Sequence, residues 1–302
     1  MNELPQGVNI NNLINDLRTF SWEASEILIY YSQILRDTEN KSNILKNDDL
    51  NDPLTLADLR VNQIIIERIR EKYKNVNWDI LSEENVKISP QNCDFKNDWI
   101  WVLDPLDGTK DFIQGTGNYA MHLALNFKGK PFIGVVLIPE RDQLWLSVGQ
   151  RVWCEKKDGF KFYPNLSKNQ NLQEMVLVKS KNHGNQTLEN LIEKIEFKKV
   201  VVMGSIGCKI ASILSGESDI YISLSLPGKS SPKDWDLAAP ESILKAAGGS
   251  ITNLENQELS YGKTNFEHGG IIIASNNKNS HEKICLEIKA IIQDYKISPF
   301  CV

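Results

Sequence analysis

The sequence predicts an α+β fold, and three observations predict it. Two helical patterns open the chain, a run of alternating strands fills its middle, and strands and helices take turns in the later part. The change of pattern falls near 161–170. We therefore expect an N-terminal α+β half over residues 1–165, with helices, a meander sheet and functional loops, and a C-terminal α/β half over 166–302.

In residues 8–36, Ile10, Leu13, Ile14, Leu17, Ala24, Ile27, Leu28 and Tyr31 recur at mostly three- and four-residue spacing, the stripe of an amphipathic helix. The polar stretch RDTENKSNILKNDDLNDP predicts a loop or hairpin. TLADLRVNQIIIERIREKY is a second helix, with Thr55 as N-cap and Asp58 three residues later. VNWDILSEEN reads as a short strand running into an acidic turn, and DWIWVLDP as a strand ending at Asp104. From Tyr119 to about Val152, the segments YAMHLALNF, PFIGVVLIP and QLWLSV, parted by KGK and ERD, form an antiparallel meander. VVVMGSIGCKIASILSGESDIYISL is strand, Gly-rich turn, helix, strand. DWDLAAPESILKAAGG is a helix stopped at Gly248–Gly249. GGIIIAS is a late strand, and the last helix, about 279–294, packs through Ile284, Ile288, Ile291 and Ile292.

Bulk properties narrow the function. The formal charge is −5 and no basic block is long enough to track polymeric DNA or RNA, although a small anionic ligand is allowed. Five cysteines, none at CxxC spacing, indicate neither a disulfide framework nor a structural zinc site. With no secretory signal and no apolar run of roughly 18 residues, we expect a cytoplasmic chain with no membrane partner.

The informative residues are acids at element ends. WVLDPLDGTKDF sets Asp104 and Asp107 behind an apolar strand, with Pro105 to stiffen the turn and Gly108 to permit an unusual backbone angle. Glu83 and Glu84 follow one strand, Asp236 opens a helix and Asp58 sits in the first turn of another. Taken alone, Asp58 and Asp236 also read as complements to a helix N-terminus, and the Glu83–Glu84 pair as a solvated turn. Together, such carboxylates repel one another unless cations lie between them. Oxygen ligands suit Mg²⁺, and two ions about 4 Å apart can serve both oxygens of a phosphoryl displacement. On that reading Asp104 could bridge two ions, Asp107 face one, the Leu106 carbonyl point at a metal, and the Thr109 hydroxyl hold a water.

SEEN, DPLDGT and WDLAAPE, in this order, resemble the motifs of the inositol monophosphatase-like superfamily of Mg²⁺-dependent, Li⁺-sensitive phosphatases. The likeness runs from about Asp52 to Ala274. It implies the layered αβαβα sandwich of the inositol monophosphatase and fructose-1,6-bisphosphatase type. DPLTLAD, DGTKDF, the SKNH element (Ser180 to His183) and GSIGCK (Gly204 to Lys209) are similar to elements of the 3'(2'),5'-bisphosphate nucleotidases, including the CysQ type. SKNH departs at two of four positions from the S-R-S-H it resembles.

The resemblance implies a set of roles. Glu83, Asp104, the Leu106 carbonyl and Thr109 would surround a first Mg²⁺ and its water. Asp104, Asp107 and Asp236 would hold a second ion, and Glu83 would touch a weaker third. Glu84 would stand behind the ligands. Asp58 would hydrogen-bond Thr109 and help draw a proton from the attacking water. The N–H groups of Gly108 and Thr109 would bind phosphate oxygens. Ser180, His183, Ser205, Lys209 and Asp236 would contact the substrate. Lys209 is the first choice for a 5'-phosphate, with Lys181, Lys229 and Lys233 in reserve. The implied substrate is adenosine 3',5'-bisphosphate, a by-product of sulfate activation, or its sulfated precursor. Inositol monophosphate and fructose 1,6-bisphosphate are the rivals within the superfamily, and monomer and homodimer both stay open. A D-x-D-G-T phosphatase with an aspartyl-phosphate has one residue between its aspartates, not two. A nucleotide sensor without activity would be missing a metal ligand, and none is missing here.

Overall fold

The computed structural model describes residues 4–36, 55–89, 95–182, 184–263, 265–297 and 299. The expected loop or hairpin after Arg36 falls on residues 37–54 and lies outside the described residues, as does His183. Helix α1 (Ile10–Arg36) buries Leu13, Leu17, Ala24 and Leu28 along one stripe. Helix α2 (Leu56–Lys72) starts from a capping box: the Thr55 hydroxyl accepts from the Ala57 and Asp58 N–H groups, and the Asp58 side chain accepts from the Thr55 N–H. Both helices lie on one face of a seven-stranded sheet, where Leu13, Leu28, Ile65, Trp101, Leu123 and Val135 share one apolar cluster.

That sheet runs in chain order: β1 (Asp79–Ser82), β2 (Trp99–Asp107), β3 (Ala120–Phe127), β4 (Lys130–Ile138), β5 (Gln143–Val148), β6 (Arg151–Glu155) and β7 (Lys161–Phe162). β1 and β2 are parallel; every later pair is antiparallel. Two short helices interrupt it, α3 (Glu83–Ile88) after β1 and α4 (Thr109–Gln114) after β2. The meander read from the sequence is present. Two details differ. Glu83 and Glu84 open a helix rather than a turn, because carboxylates suit its N-terminal turn. β2 runs on through Asp107 instead of ending at Asp104.

The second sheet has the order β11-β12-β10-β8-β9. Its strands are β8 (Val176–Ser180), β9 (Lys199–Met203), β10 (Ile220–Ser225), β11 (Ser250–Asn253) and β12 (Gly270–Ser275). β8, β9 and β10 are mutually parallel, so their carboxyl ends open on the same side. Helices α6 (Ile206–Leu214) and α7 (Asp234–Ala246) fill the space between the sheets through Cys208, Ile210, Leu237, Ala238 and Ile243. Helices α5 (Gln186–Ile195) and α8 (Lys278–Asp294) cover the far face through Leu188, Leu191, Ile284 and Ile288. The result is the αβαβα sandwich. Helix α5 and strands β6, β7, β8 and β11 are additions to the sequence reading.

One contact sets the height of α7. A Cβ on Gly134 of β4 would fall 2.6 Å from the Ser242 Cβ and 2.8 Å from the Ala239 carbonyl oxygen. Only glycine lets this helix lie so close to the sheet. The N-terminal turn of α7, which carries Asp236, is placed accordingly.

Candidate active site

The site forms where the carboxyl ends of parallel strands from both sheets meet. In the first sheet Ser82 pairs with Leu103, so Glu83 leaves β1 beside Asp104 of β2. In the second, residues 181–182, 204–207 and 226–233 leave β8, β9 and β10. Open crevices at such strand ends are the usual ligand sites of α/β sheets.

A bulge brings the aspartates together. Along β2 and β3, Asp104 pairs with His122 and Asp107 with Ala120, so three steps on one strand meet two on the other. In a regular strand, residues three apart point to opposite faces. The extra residue at Pro105–Leu106 turns Asp107 back to the side of Asp104. The Leu106 N–H closes the turn on Asp104 Oδ1 at 3.0 Å. One carboxyl oxygen each from Asp104, Asp107 and Asp236 then lies within 4.8 Å of the others.

This cluster is under electrostatic stress. Burial, and then the charges of Glu83, Asp107 and Asp236, hold the Asp104 carboxyl well above the usual range. Asp236 is raised likewise by burial and by Asp107 and Glu83. Burial pushes Glu84 up to about 8; it is enclosed behind Glu83, with Lys87 Nζ 3.5 Å from one oxygen. The donor set is all oxygen, from three carboxyls and the Leu106 carbonyl that lies between Asp104 and Asp107 in the chain. These residues fit a hard divalent cation such as Mg²⁺.

Asp107 is held from behind by α6. Its Oδ2 accepts from the Ser205 hydroxyl at 2.6 Å and from the Ile206 N–H at 2.5 Å. Ser205 is the N-cap of α6, and its hydroxyl oxygen also accepts from the Cys208 N–H. His122 Nε2 lies 3.3 Å from Asp107 Oδ2, and burial lowers the pKa of this imidazole. Gly108 is in the left-handed region at φ 87°, and a Cβ there would sit 3.0 Å from the Asn118 carbonyl oxygen and 3.2 Å from the Ser205 nitrogen.

The predicted roles of several residues meet different contacts. Asp58 does not bond Thr109: its Oδ2 accepts from the Thr55 N–H and hydroxyl, because the capping box takes it first. The Thr109 hydroxyl donates instead to the Leu106 carbonyl at 3.0 Å, so those two groups of the expected metal shell do meet. Burial raises the Asp58 carboxyl to about 7. Glu83 pairs with Lys87 at 2.9 Å while raising Asp104. Ser205 reaches Asp107, not the open crevice. Lys209 is fully buried, with its ammonium donating to the Gly204 and Met203 carbonyls over the Tyr221 ring, and burial lowers its pKa to about 8. In this arrangement it braces the Gly-rich turn and does not face a 5'-phosphate. Ser180 lies at the end of β8, near the Tyr221 hydroxyl.

Sequence reasoning missed the link from Ser205 to Asp107 and the burial of His122. The signal for His122 was a lone imidazole in the apolar run YAMHLALNF. It also gave no role to Asp111, whose side chain accepts from Asn182 at 2.8 Å. Lys181 donates to Gln114 at 2.6 Å. Both positions at which SKNH departs from the S-R-S-H pattern, Lys181 and Asn182, thus have side chains that contact α4.

The model of the inositol monophosphatase family matches residues 12–293. A curated relative from Buchnera aphidicola, named 3'(2'),5'-bisphosphate nucleotidase CysQ, is 32% identical over 213 residues, 70% of this chain and 75% of its own length. The protein of the same name from Escherichia coli K12 is 26% identical over 213 residues, 70% of this chain and 80% of its own. Among solved structures, the Thermotoga maritima IMPase superposes with a TM-score of 0.68 at 20% identity, covering 94% of this chain and 99% of that one.

Proposed function

The chain belongs to the inositol monophosphatase family, and on that premise we propose that it is a Mg²⁺-dependent phosphatase that removes the 3'-phosphate of adenosine 3',5'-bisphosphate to give AMP. The sulfated precursor, carrying the same 3'-phosphate, is the second substrate. The observation that carries the phosphatase chemistry is the bulge-oriented cluster of Asp104, Asp107 and Asp236. The nucleotide is supported by the names of the relatives at 26–32% identity.

Asp104, Asp107, Asp236, Glu83 and the Leu106 carbonyl would hold two Mg²⁺ ions, with Glu83 touching a weaker third. Bound Mg²⁺ supplies positive charge for the phosphoryl oxygens and makes a water more acidic. The residues of the chain do the rest. To Asp58, raised to about 7, we assign the role of base that takes the proton of the attacking water at neutral pH. Thr109 passes that proton when its hydroxyl turns from Leu106 to Asp58. The N–H groups of Gly108 and Thr109, at the start of α4, bind phosphate oxygens. Lys181, whose side chain is 40% exposed, meets the 5'-phosphate in place of the buried Lys209. Li⁺ is expected to inhibit by replacing an ion at the weaker site.

The test is phosphate release with Mg²⁺ from adenosine 3',5'-bisphosphate, inositol 1-phosphate and fructose 1,6-bisphosphate, side by side, with EDTA as control. The nucleotide should lead by at least about tenfold in kcat/KM, or 1.4 kcal/mol of transition-state binding. Release from either rival at equal or higher efficiency would discard the nucleotide and retain the metal chemistry. No release from any of them would discard both.

A further inference from the structure

Asp111 stands outside the three-aspartate cluster and is fully buried. Its Oδ1 accepts from the Thr116 hydroxyl at 2.6 Å and its Oδ2 from the Asn182 amide at 2.8 Å. Three residues further along α4, Gln114 Oε1 accepts from Lys181 Nζ at 2.6 Å, and that ammonium is 4.0 Å from Asp111 Oδ1. The helix that begins at the metal loop therefore holds, by two side chains, the segment that leaves β8. The Gly-rich turn is pressed against the same carboxyl: a Cβ on Gly204 would fall 2.2 Å from Asp111 Oδ2. Buried polar groups with specific partners fix one geometry, because leaving them unmet is costly.

We propose that Asp111 is a positioning residue for substrate selection. Through Asn182 and Lys181 it keeps the exit of β8 at the distance that a nucleoside and its 5'-phosphate require from the scissile phosphate. The inference rests on the nucleotidase reading above. None of the hydrogen bonds of Asp111 goes to Asp104, Asp107 or Asp236. A small phosphomonoester, lacking both nucleoside and 5'-phosphate, does not call on the clamp.

The experiment compares kcat and KM for adenosine 3',5'-bisphosphate and for glycerol 2-phosphate in the wild type, Asp111→Asn, Asn182→Ala and the exchanged pair Asp111→Asn with Asn182→Asp. Mn²⁺ binding, followed by electron paramagnetic resonance on the substrate-free protein, is the second readout. In Asp111→Asn the carboxylate charge is lost and one acceptor remains where the Thr116 hydroxyl and the Asn182 amide both donate. KM for the nucleotide should rise about tenfold, as for one lost hydrogen bond to a charged group, with kcat within about twofold. Glycerol 2-phosphate kinetics and Mn²⁺ affinity should move by less than about twofold. The exchanged pair recreates the bond with donor and acceptor reversed, and should restore KM. Asn182→Ala leaves the buried carboxyl in place and should give the same split if Asp111→Asn does not fold.

A wild-type preference for the nucleotide that these variants leave intact overturns the clamp alone. Equal losses on both substrates, or weaker Mn²⁺ binding, also overturn it, because Asp111 would then act through the metal loop. A wild type with no nucleotide preference overturns the nucleotidase reading, and the clamp with it.

Discussion

The Ser205 hydroxyl donates to Asp107 Oδ2 at 2.6 Å, joining the Gly-rich turn to the metal loop across 98 residues of sequence. The same oxygen caps α6 by accepting from the Cys208 N–H. Ser205→Ala removes both functions. We expect a loss of about 1 kcal/mol in urea unfolding, the usual cost of a missing cap. The Mg²⁺ concentration for half-maximal activity should rise as Asp107 loses its fixed rotamer, and Ser205→Thr should recover both properties. An unchanged Mg²⁺ requirement in Ser205→Ala would remove Ser205 from the metal site.

Asp104→Asn separates chemistry from stability. The folded pKa of Asp104 is raised by burial and then by Glu83, Asp107 and Asp236. A raised carboxyl contributes stability below its unfolded value near 3.8, and that contribution is lost as pH rises through the folded value. Without Mg²⁺ at pH 7, the charge therefore opposes folding. The asparagine keeps an acceptor for the Leu106 N–H and lacks the charge. We expect a metal-free melting temperature several degrees higher than the wild type's, no Mg²⁺-induced shift and no turnover. A metal-free variant that melts lower would contradict the repulsion argument.

Lys209→Arg distinguishes a brace from a clamp. A guanidinium in solvent contact with a phosphate serves as well as an ammonium or better. The buried Lys209 ammonium instead donates to two carbonyls over Tyr221 in a site closed to solvent, where a larger planar group must displace its neighbours. The arginine variant should lose about 1–3 kcal/mol of stability, as overpacked cores do. Chemical denaturation measures this, and near-wild-type stability with tighter substrate binding would return Lys209 to the role of a clamp.

His281 ties stability to pH far from the site. Its Nδ1 and Nε2 meet the hydroxyls of Ser275 and Thr252 at 2.7 and 2.8 Å, and burial lowers it to about 4. The unfolded imidazole titrates near 6.5, so between pH 6.5 and 4 the unfolded chain binds the extra proton. The stability that the neutral ring contributes is complete above 6.5 and falls as the solution is acidified toward 4. The slope from this group is at most about 1.4 kcal/mol per pH unit. His281→Asn should flatten the acid side of the stability profile relative to the wild type. Parallel profiles would show that another group carries the acid sensitivity.

The helices α1 and α2, the meander and the α7 stop were legible because each follows from periodicity or a cap within one segment. The capping box of Thr55 and Asp58 is local in the same sense. The acids were legible as residue types at strand ends. Their partners were not, because a bond such as Ser205 to Asp107 depends on which strand exits meet. Lys209 shows the same limit from the other side. The Gly-rich turn offered Lys209 to a 5'-phosphate, and nothing in the local pattern said that the Met203 and Gly204 carbonyls would receive it instead. The burial of His122 and Asp111 is likewise a property of the packed layers, since Gly207 and Gly204 approach them only in the folded chain.

The bulge at Pro105–Leu106 makes the length of the metal loop a matter of parity rather than of reach. The same three steps in regular alternation would send Asp107 to the opposite face of the sheet, whereas one residue fewer would make the strand regular and still leave it on the face of Asp104. A chain without Leu106 should keep its secondary structure by circular dichroism and bind Mn²⁺ more weakly, for want of the Leu106 carbonyl, whereas binding lost outright would mean that the extra residue sets the spacing of the aspartates as well as their facing. Loss of one residue from this loop is therefore a graded event, because the bulged strand and the regular one present the same two carboxylates on one side.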